Sequence, residues 1–276
     1  MKINIDQDQW NQWLEVKGLS TRTIKEYNQY FQKINKDSFT QESIISFLQQ
    51  HNNAIARATI KNLILYLKMN KTEIYFEVPK LTGRKRQRII DTLSEDQVIE
   101  LSDKAKDERT ALMELISFYG GLRVSELVET EGNEEYAIKP YSFNWNTWIK
   151  DPSQNGSLKI IGKGNKERKV FIPQKLMSRI YQYIKNEASK KQGKEDPLFP
   201  IGERRWKMIL SDEGQKILGR HINPHLFRHS CNQWLRSKGW DITERQLYLG
   251  HENPQTTMIY DHTNRENLKE KFDQLF

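Results

Sequence analysis

Residues 157–172 read SLKIIGKGNKERKVFI. Two β-rich runs flank the Gly162-Lys163-Gly164-Asn165 stretch, which predicts an antiparallel hairpin. Nearly everything around it carries helical spacing instead. A lone hairpin set among helices gives a mainly α fold with a small antiparallel β-sheet. The glycines do not make a phosphate loop, because GxxxxGK[ST] is absent and a strand follows. A lysine at a hairpin tip is ordinarily a solubilising residue. For Lys163 to have a function it must reach into a site as a point donor of charge or of a proton. Lys166 and Lys169 are its near neighbours and competitors for that role.

Upstream, Ser94 and Gln97 form a capping box for a helix near 95–104. Ala111, Leu112, Leu115, Ile116 and Phe118 mark a buried helix over 107–119, closed by Gly120-Gly121. The next helix starts at about Arg123, in GGLRVSEL, where permissive glycines let an arginine project from a tight corner. A solvated arginine in an ordinary turn would read the same way. Residues 129–156 carry no assignable pattern.

Downstream, helices are expected near 174–189, 204–217, 224–238 and 242–248, then a short one around Tyr260 and a last one within 263–275. In HLFRH, residues 225–229, Asn223 can cap and Pro224 suits the first turn. His225 and Arg228 then share a face at a helix N-terminus, a place that favours an anion. His225 and His229 also stand at zinc-ligand spacing, but the glutamate of HExxH is missing and no further ligand cluster is evident. LGHENPQTTMIYDH, residues 249–262, holds His251 and, nine residues on, Tyr260. A lone tyrosine is ordinarily a core or interface residue.

The first 80 residues read differently. Asp6 or Asp8, Ser20 and Thr40 can cap successive helices within 7–70, and Ile60, Leu63, Ile64 and Leu67 keep phase in a fourth. Residues 1–80 are expected to form a helical domain, 81–90 a basic linker, and 91–276 a second domain with a tail helix over 263–276. Of the net charge of +8, residues 1–80 carry +3, residues 81–90 carry +4 and the remainder +1. A basic balance favours an anionic polymer such as nucleic acid. Arg84, Lys85, Arg86 and Arg88 make either a solvated linker or one lying on DNA phosphates. The single Cys231 excludes an internal disulfide and a cysteine zinc cage. No run approaches the roughly 18 apolar residues of a membrane span, and the N-terminus lacks a signal-peptide core. A cytoplasmic protein is expected.

Taken in order, GLRVSEL, GKGNKER, HxxRH, LGH and IY resemble the tyrosine recombinase (phage integrase) family, in wording nearest its Xer-type members. The resemblance is sharp in the second half. Over residues 1–80 it is a match of size and helicity to the family's core-binding domain. It implies a two-domain architecture: a helical core-binding domain and an α+β catalytic domain. The Arg123-to-Lys163 stretch is longer than in compact Xer relatives. The implied activity is site-specific recombination of double-stranded DNA, without metal, ATP or other cofactor, by a homo-oligomer that is tetrameric in the synapse. Arg123 and Arg228 would hold the scissile phosphate, and Tyr260 would attack it to leave a 3′-phosphotyrosine. His225 would accept the phenol proton, Lys163 would protonate the departing 5′ oxygen, and His251 would hydrogen-bond the phosphate. Glu126, one turn from Arg123, would support the site. A type IB topoisomerase and a catalytically silent DNA-binding protein are the alternatives. In the tail, Leu268, Phe272 and Leu275 form one apolar stripe, too short to stand alone in water. It docks either on its own domain or, as the resemblance implies and as is expected, on a neighbouring protomer.

Overall fold

A computed structural model of the chain describes residues 2–3, 5–70, 74–79, 91–162, 166–188, 195–250 and 263–276. It divides into two compact units, Met1–Arg88 and Ile89–Phe276.

The first unit holds helices α1 (Gln7–Val16), α2 (Thr21–Phe31), α3 (Gln41–Gln50) and α4 (Ala54–Met69). Side chains of Asp6, Ser20, Thr40 and Asn53 accept backbone N–H groups that open these four helices. Such caps satisfy donors that have no partner within the helix. Trp10, Leu14, Phe31, Ile44, Ile60 and Leu63 make the core. The Trp10 and Phe31 rings stack with centroids 5.1 Å apart, and the Trp10 indole N–H donates to Asn28 Oδ1 at 3.0 Å. A buried indole is tolerated because that donor is satisfied.

The second unit is built around α6 (Glu108–Tyr119), buried from Thr110 through Tyr119. A helix apolar on most of its surface has to be enclosed by neighbours. Against it pack α5 (Glu95–Asp103), α9 (Gln174–Ala188) and α11 (Pro224–Ser237). The capping box of Ser94 and Gln97 is formed. The hairpin is formed too: β1 (Gly156–Gly162) pairs antiparallel with β2 (Lys166–Ile172), Gly162 opposite Lys166 and Gly156 opposite Ile172. The tip residues Lys163, Gly164 and Asn165 lie outside the described residues. The remaining helices are α7 (Val124–Leu127), α8 (Trp145–Trp148), α10 (Glu203–Leu218), α12 (Ile242–Leu249) and α13 (Thr263–Asp273).

Residues 129–156, without pattern in the sequence, fold as two 3₁₀ turns, Glu134–Tyr136 and Pro140–Ser142, followed by α8. Phe143 bridges antiparallel to Leu158 of β1. Trp145 stacks on Phe143 and donates its indole N–H to the Pro140 carbonyl at 2.7 Å. Ile138 N–H donates to the carbonyl of Glu126 at 3.0 Å. The segment therefore buttresses the outer edge of the sheet and the end of α7. Its order comes from indole packing rather than from a repeating spacing.

In the single chain the tail takes the first of its two options. The apolar stripe of α13 packs on its own domain: Phe272 is fully buried, against Phe171, Trp234 and Tyr248. Asn155 donates to Asp273, and Lys271 pairs with Glu244 on α12. Leu268 is buried beside Phe272, and Leu275 packs against the same core. Among the described residues no helix is long and apolar enough to cross a membrane.

Candidate functional site

Three local devices place Arg123. α6 stops at Gly120, and Gly121 turns the chain with φ +56°. A Cβ on Gly121 would stand 2.3 Å from Leu249 Cδ2, so both the dihedral and the close approach to α12 require glycine. Arg123 then sits at the N-cap of α7, and its own N–H donates to Glu126 Oε2 at 2.7 Å. That is the reciprocal half of a capping box, with Glu126 at the third helical position.

Glu126 is 1% exposed at its side chain and is held by two arginines. Arg168 of β2 donates from Nη1 to Oε1 at 2.6 Å and from Nη2 to Oε2 at 2.7 Å. Arg123 Nη1 shares Oε1 at 2.8 Å. Burial would push the Glu126 carboxyl up, but the Arg168 fork, the Arg123 N–H and the Arg123 charge outweigh it and hold it at about 2.

Two arginines converge on one bend of backbone. Arg123 Nη2 donates to the carbonyl of Gly250 at 2.8 Å. Arg228, on the first turns of α11, donates from Nη2 to the carbonyl of Leu249 and from Nη1 to that of Gly121 at 2.6 Å. Gly250 closes α12 in the left-handed region with φ +67°, and the chain there leads into His251. Arg228 is buried, and that burial, with the charges of Arg123 and Arg168, lowers its guanidinium to about 9. It is therefore a buried cation whose nearest neighbours include two others.

His225 stands one turn before Arg228, exposed at the start of α11, where Asn223 caps and Pro224 holds the first position. Loss of water around it, then His229, Arg228 and Arg123, lower its imidazole below 6.5. The ring is therefore mainly neutral at pH 7, able to accept a proton. The His225 and His229 rings meet edge to face, centroids 5.4 Å apart. Among the described residues no group of three or more His, Cys, Asp or Glu side chains stands ready for a metal.

The structure thus gathers Arg123, Glu126, His225 and Arg228. Lys163, His251, Tyr260 and the basic residues Arg84, Lys85, Arg86 and Arg88 lie outside the described residues. Lys163 adjoins Gly162, where a Cβ would lie 3.5 Å from Glu126 Oε1 and 4.0 Å from Arg123 Nη1. One participant was missed in the sequence, Arg168. Strand alternation carries its signal, since Arg168 shares its face with buried Val170 and Ile172. A charge in phase with core residues needs a buried counter-charge.

Tyr248, in α12, lies one residue before the Leu249 carbonyl that Arg228 holds. It is fully buried, accepts from Phe171 N–H at 3.1 Å and lies 2.9 Å from the Tyr119 carbonyl as donor. Burial raises its phenol well above the ordinary value. It is a packing residue that ties β2, α6 and α12 together.

Comparison with known proteins adds the following. The sequence model of the phage integrase family matches residues 81–267. Tyrosine recombinase XerA of Pyrococcus horikoshii is 28% identical over 280 residues, covering 95% of this chain and 90% of that protein. Tyrosine recombinase XerD of Oceanobacillus iheyensis is 26% identical over 295 residues, covering 93% and 92%. The fold is similar to that of the XerH site-specific recombinase in its post-cleavage complex with a palindromic difH substrate. That match has a TM-score of 0.64 and 18% identity, covering 90% of this chain and 76% of that one. It is also similar to a lambda integrase dimer bound to a COC′ core site, with a TM-score of 0.63 and 16% identity, covering 92% and 96%.

Proposed function

This chain belongs to the phage integrase family, and on that premise we propose that it is a site-specific DNA recombinase whose nucleophile is Tyr260. The observation that carries the reading is the convergence of Arg123 and Arg228 on the Leu249–Gly250 carbonyls, with His225 one turn before Arg228 on α11. Planar guanidinium forks suit the non-bridging oxygens of a phosphodiester. A helix N-terminus adds N–H groups and a favourable dipole for the same anion.

In the proposed reaction the Tyr260 oxygen attacks phosphorus, its proton passes to His225, and the bond to the 5′ oxygen breaks. Lys163 gives that oxygen a proton, and a 3′-phosphotyrosine remains. A free phenol has a pKa near ~10, so complete ionisation at pH 7 would cost roughly 4 kcal/mol. The neighbouring cations and the neutral imidazole offset that cost. His251 would hydrogen-bond the phosphate as charge builds on it. Since the phosphotyrosine conserves the bond energy, attack by a free 5′ hydroxyl reverses the step. Residues 1–80 would serve as a DNA-binding domain and 81–90 as a linker on backbone phosphates. The working form would be a tetramer on two paired double-stranded sites in the cytoplasm.

A nicked suicide duplex tests this reading. The unaltered chain should form an SDS-stable protein–DNA adduct, and Tyr260→Phe should bind the DNA yet form none. Persistence of the adduct in that variant would move the nucleophile elsewhere. Joining of two separate duplexes separates a recombinase from a type IB topoisomerase.

A further inference from the structure

Three cations and one carboxylate meet at the site. Arg123, Arg168 and Arg228 against Glu126 leave a net charge of +2 beside the position proposed for one phosphodiester. The three arginines are not equivalent. The Arg168 side chain is 10% exposed and spends both terminal nitrogens on Glu126, whereas the Arg123 side chain is 34% exposed and gives Glu126 only one. Arg168 is thus the partner that neutralises the carboxylate, and Arg123 keeps an open side. Arg168 also lies under the bend that leads to His251, where a Cβ on Gly250 would meet its Cδ at 3.0 Å.

We propose that Arg168 is a positioning residue: by holding both oxygens of Glu126, it keeps Arg123 free to grip the scissile phosphate. Without it, Glu126 would be a buried carboxylate with one nearby cation. A lone buried carboxylate draws its remaining arginine into a two-pronged pair. Arg123 would then swing onto Glu126 and away from Gly250 and the phosphate, and the net charge would fall to +1. The same side chain joins β2, α7 and the α12 corner, so the hairpin bearing Lys163 shares this anchor. The proposal rests on the reading that Arg123 and Arg228 bind phosphate.

The test compares four chains in single-turnover adduct formation on the suicide duplex: unaltered, Arg168→Met, Glu126→Gln and the double variant. Half-site binding and circular dichroism report folding. Arg168→Met should slow adduct formation about a hundredfold, the scale of a misplaced reacting group. The double variant removes both charges, restores +2 and leaves Arg123 no carboxylate to fall onto. It should regain most of the rate. A substrate with an uncharged methylphosphonate at the scissile position should narrow the Arg168→Met defect, because less negative charge then needs holding. If Arg168→Met cleaves at the unaltered rate, or if a folded double variant stays as slow as Arg168→Met, the proposal is overturned. If Arg168→Met does not fold, the double variant decides alone: a rate within about tenfold of the unaltered chain supports the proposal. A double variant that also fails to fold would make Arg168 a stability residue and overturn it. Absence of any adduct in the unaltered chain would instead overturn the recombinase reading on which the proposal stands.

Discussion

At the scale of single residues, the buried carboxyls of Glu126 and Glu114 behave oppositely. Glu126 is held at about 2 by its arginines, against an ordinary 4.5. Its contribution to stability is present above pH 4.5 and is lost as pH falls toward 2. Glu114, on the fully buried face of α6, has no cation at its carboxyl among the described residues and faces the carboxyl of Glu213 within hydrogen-bond reach. Burial, then the charge of nearby Glu213, push it from 4.5 to about 9. Its contribution is therefore fully present below pH 4.5 and drains as pH rises toward 9. On order of magnitude, that amounts to about 3 kcal/mol lost by pH 7. Glu114→Gln keeps the shape and removes the titration. Urea unfolding of this variant should show a flatter decline in stability between pH 5 and pH 9 than the unaltered chain. An unchanged slope would mean that Glu114 titrates normally.

At the scale of elements, α13 is a short helix whose hold on the domain rests on a few side chains. Phe272 alone touches Phe171 of β2, Trp234 of α11 and Tyr248 of α12. Phe272→Ala should destabilise the second unit by about 3–5 kcal/mol, the usual range for emptying an aromatic site in a core. A loss below about 1 kcal/mol in the DNA-free protein would mean that α13 is not seated in this recess in solution. The hairpin is the other element with a double role. Its inner face carries Leu158, Ile160, Val170 and Ile172 into the core, while Arg168 on the same face reaches Glu126. Packing and site are thus built by one strand.

At the scale of the whole molecule, charge is distributed unevenly. The second unit is almost neutral overall, so on the proposed reading its attraction to DNA would rest on a local cluster of arginines rather than on its net charge. Residues 81–90 carry +4. Replacing Arg84, Lys85, Arg86 and Arg88 with Gln should weaken DNA binding and flatten its dependence on salt, by up to roughly four phosphate contacts of slope. A slope identical to that of the unaltered chain would reduce the cluster to a solvated connection.

The sequence by itself determined the features that depend on neighbours along the chain. Ser20, Thr40, Ser94 and Asn223 cap the helices they precede, the 157–172 run forms the hairpin, and glycines close α6 and α12. Arg123, Glu126, His225 and Arg228 were legible as candidates because helix ends and short motifs fix them within a turn or two. Other features were decided only by tertiary structure. Arg168 meets Glu126 across 42 residues, Tyr248 meets Phe171 across 77, and Phe272 of the tail closes on Phe171 of β2. Residues 129–156 are ordered by indole contacts that no periodic spacing announces. The physical reason is common to all of these. Caps and turns are satisfied by groups a few bonds away, whereas a buried charge, phenol or aromatic ring is satisfied by whatever partner packing brings to it.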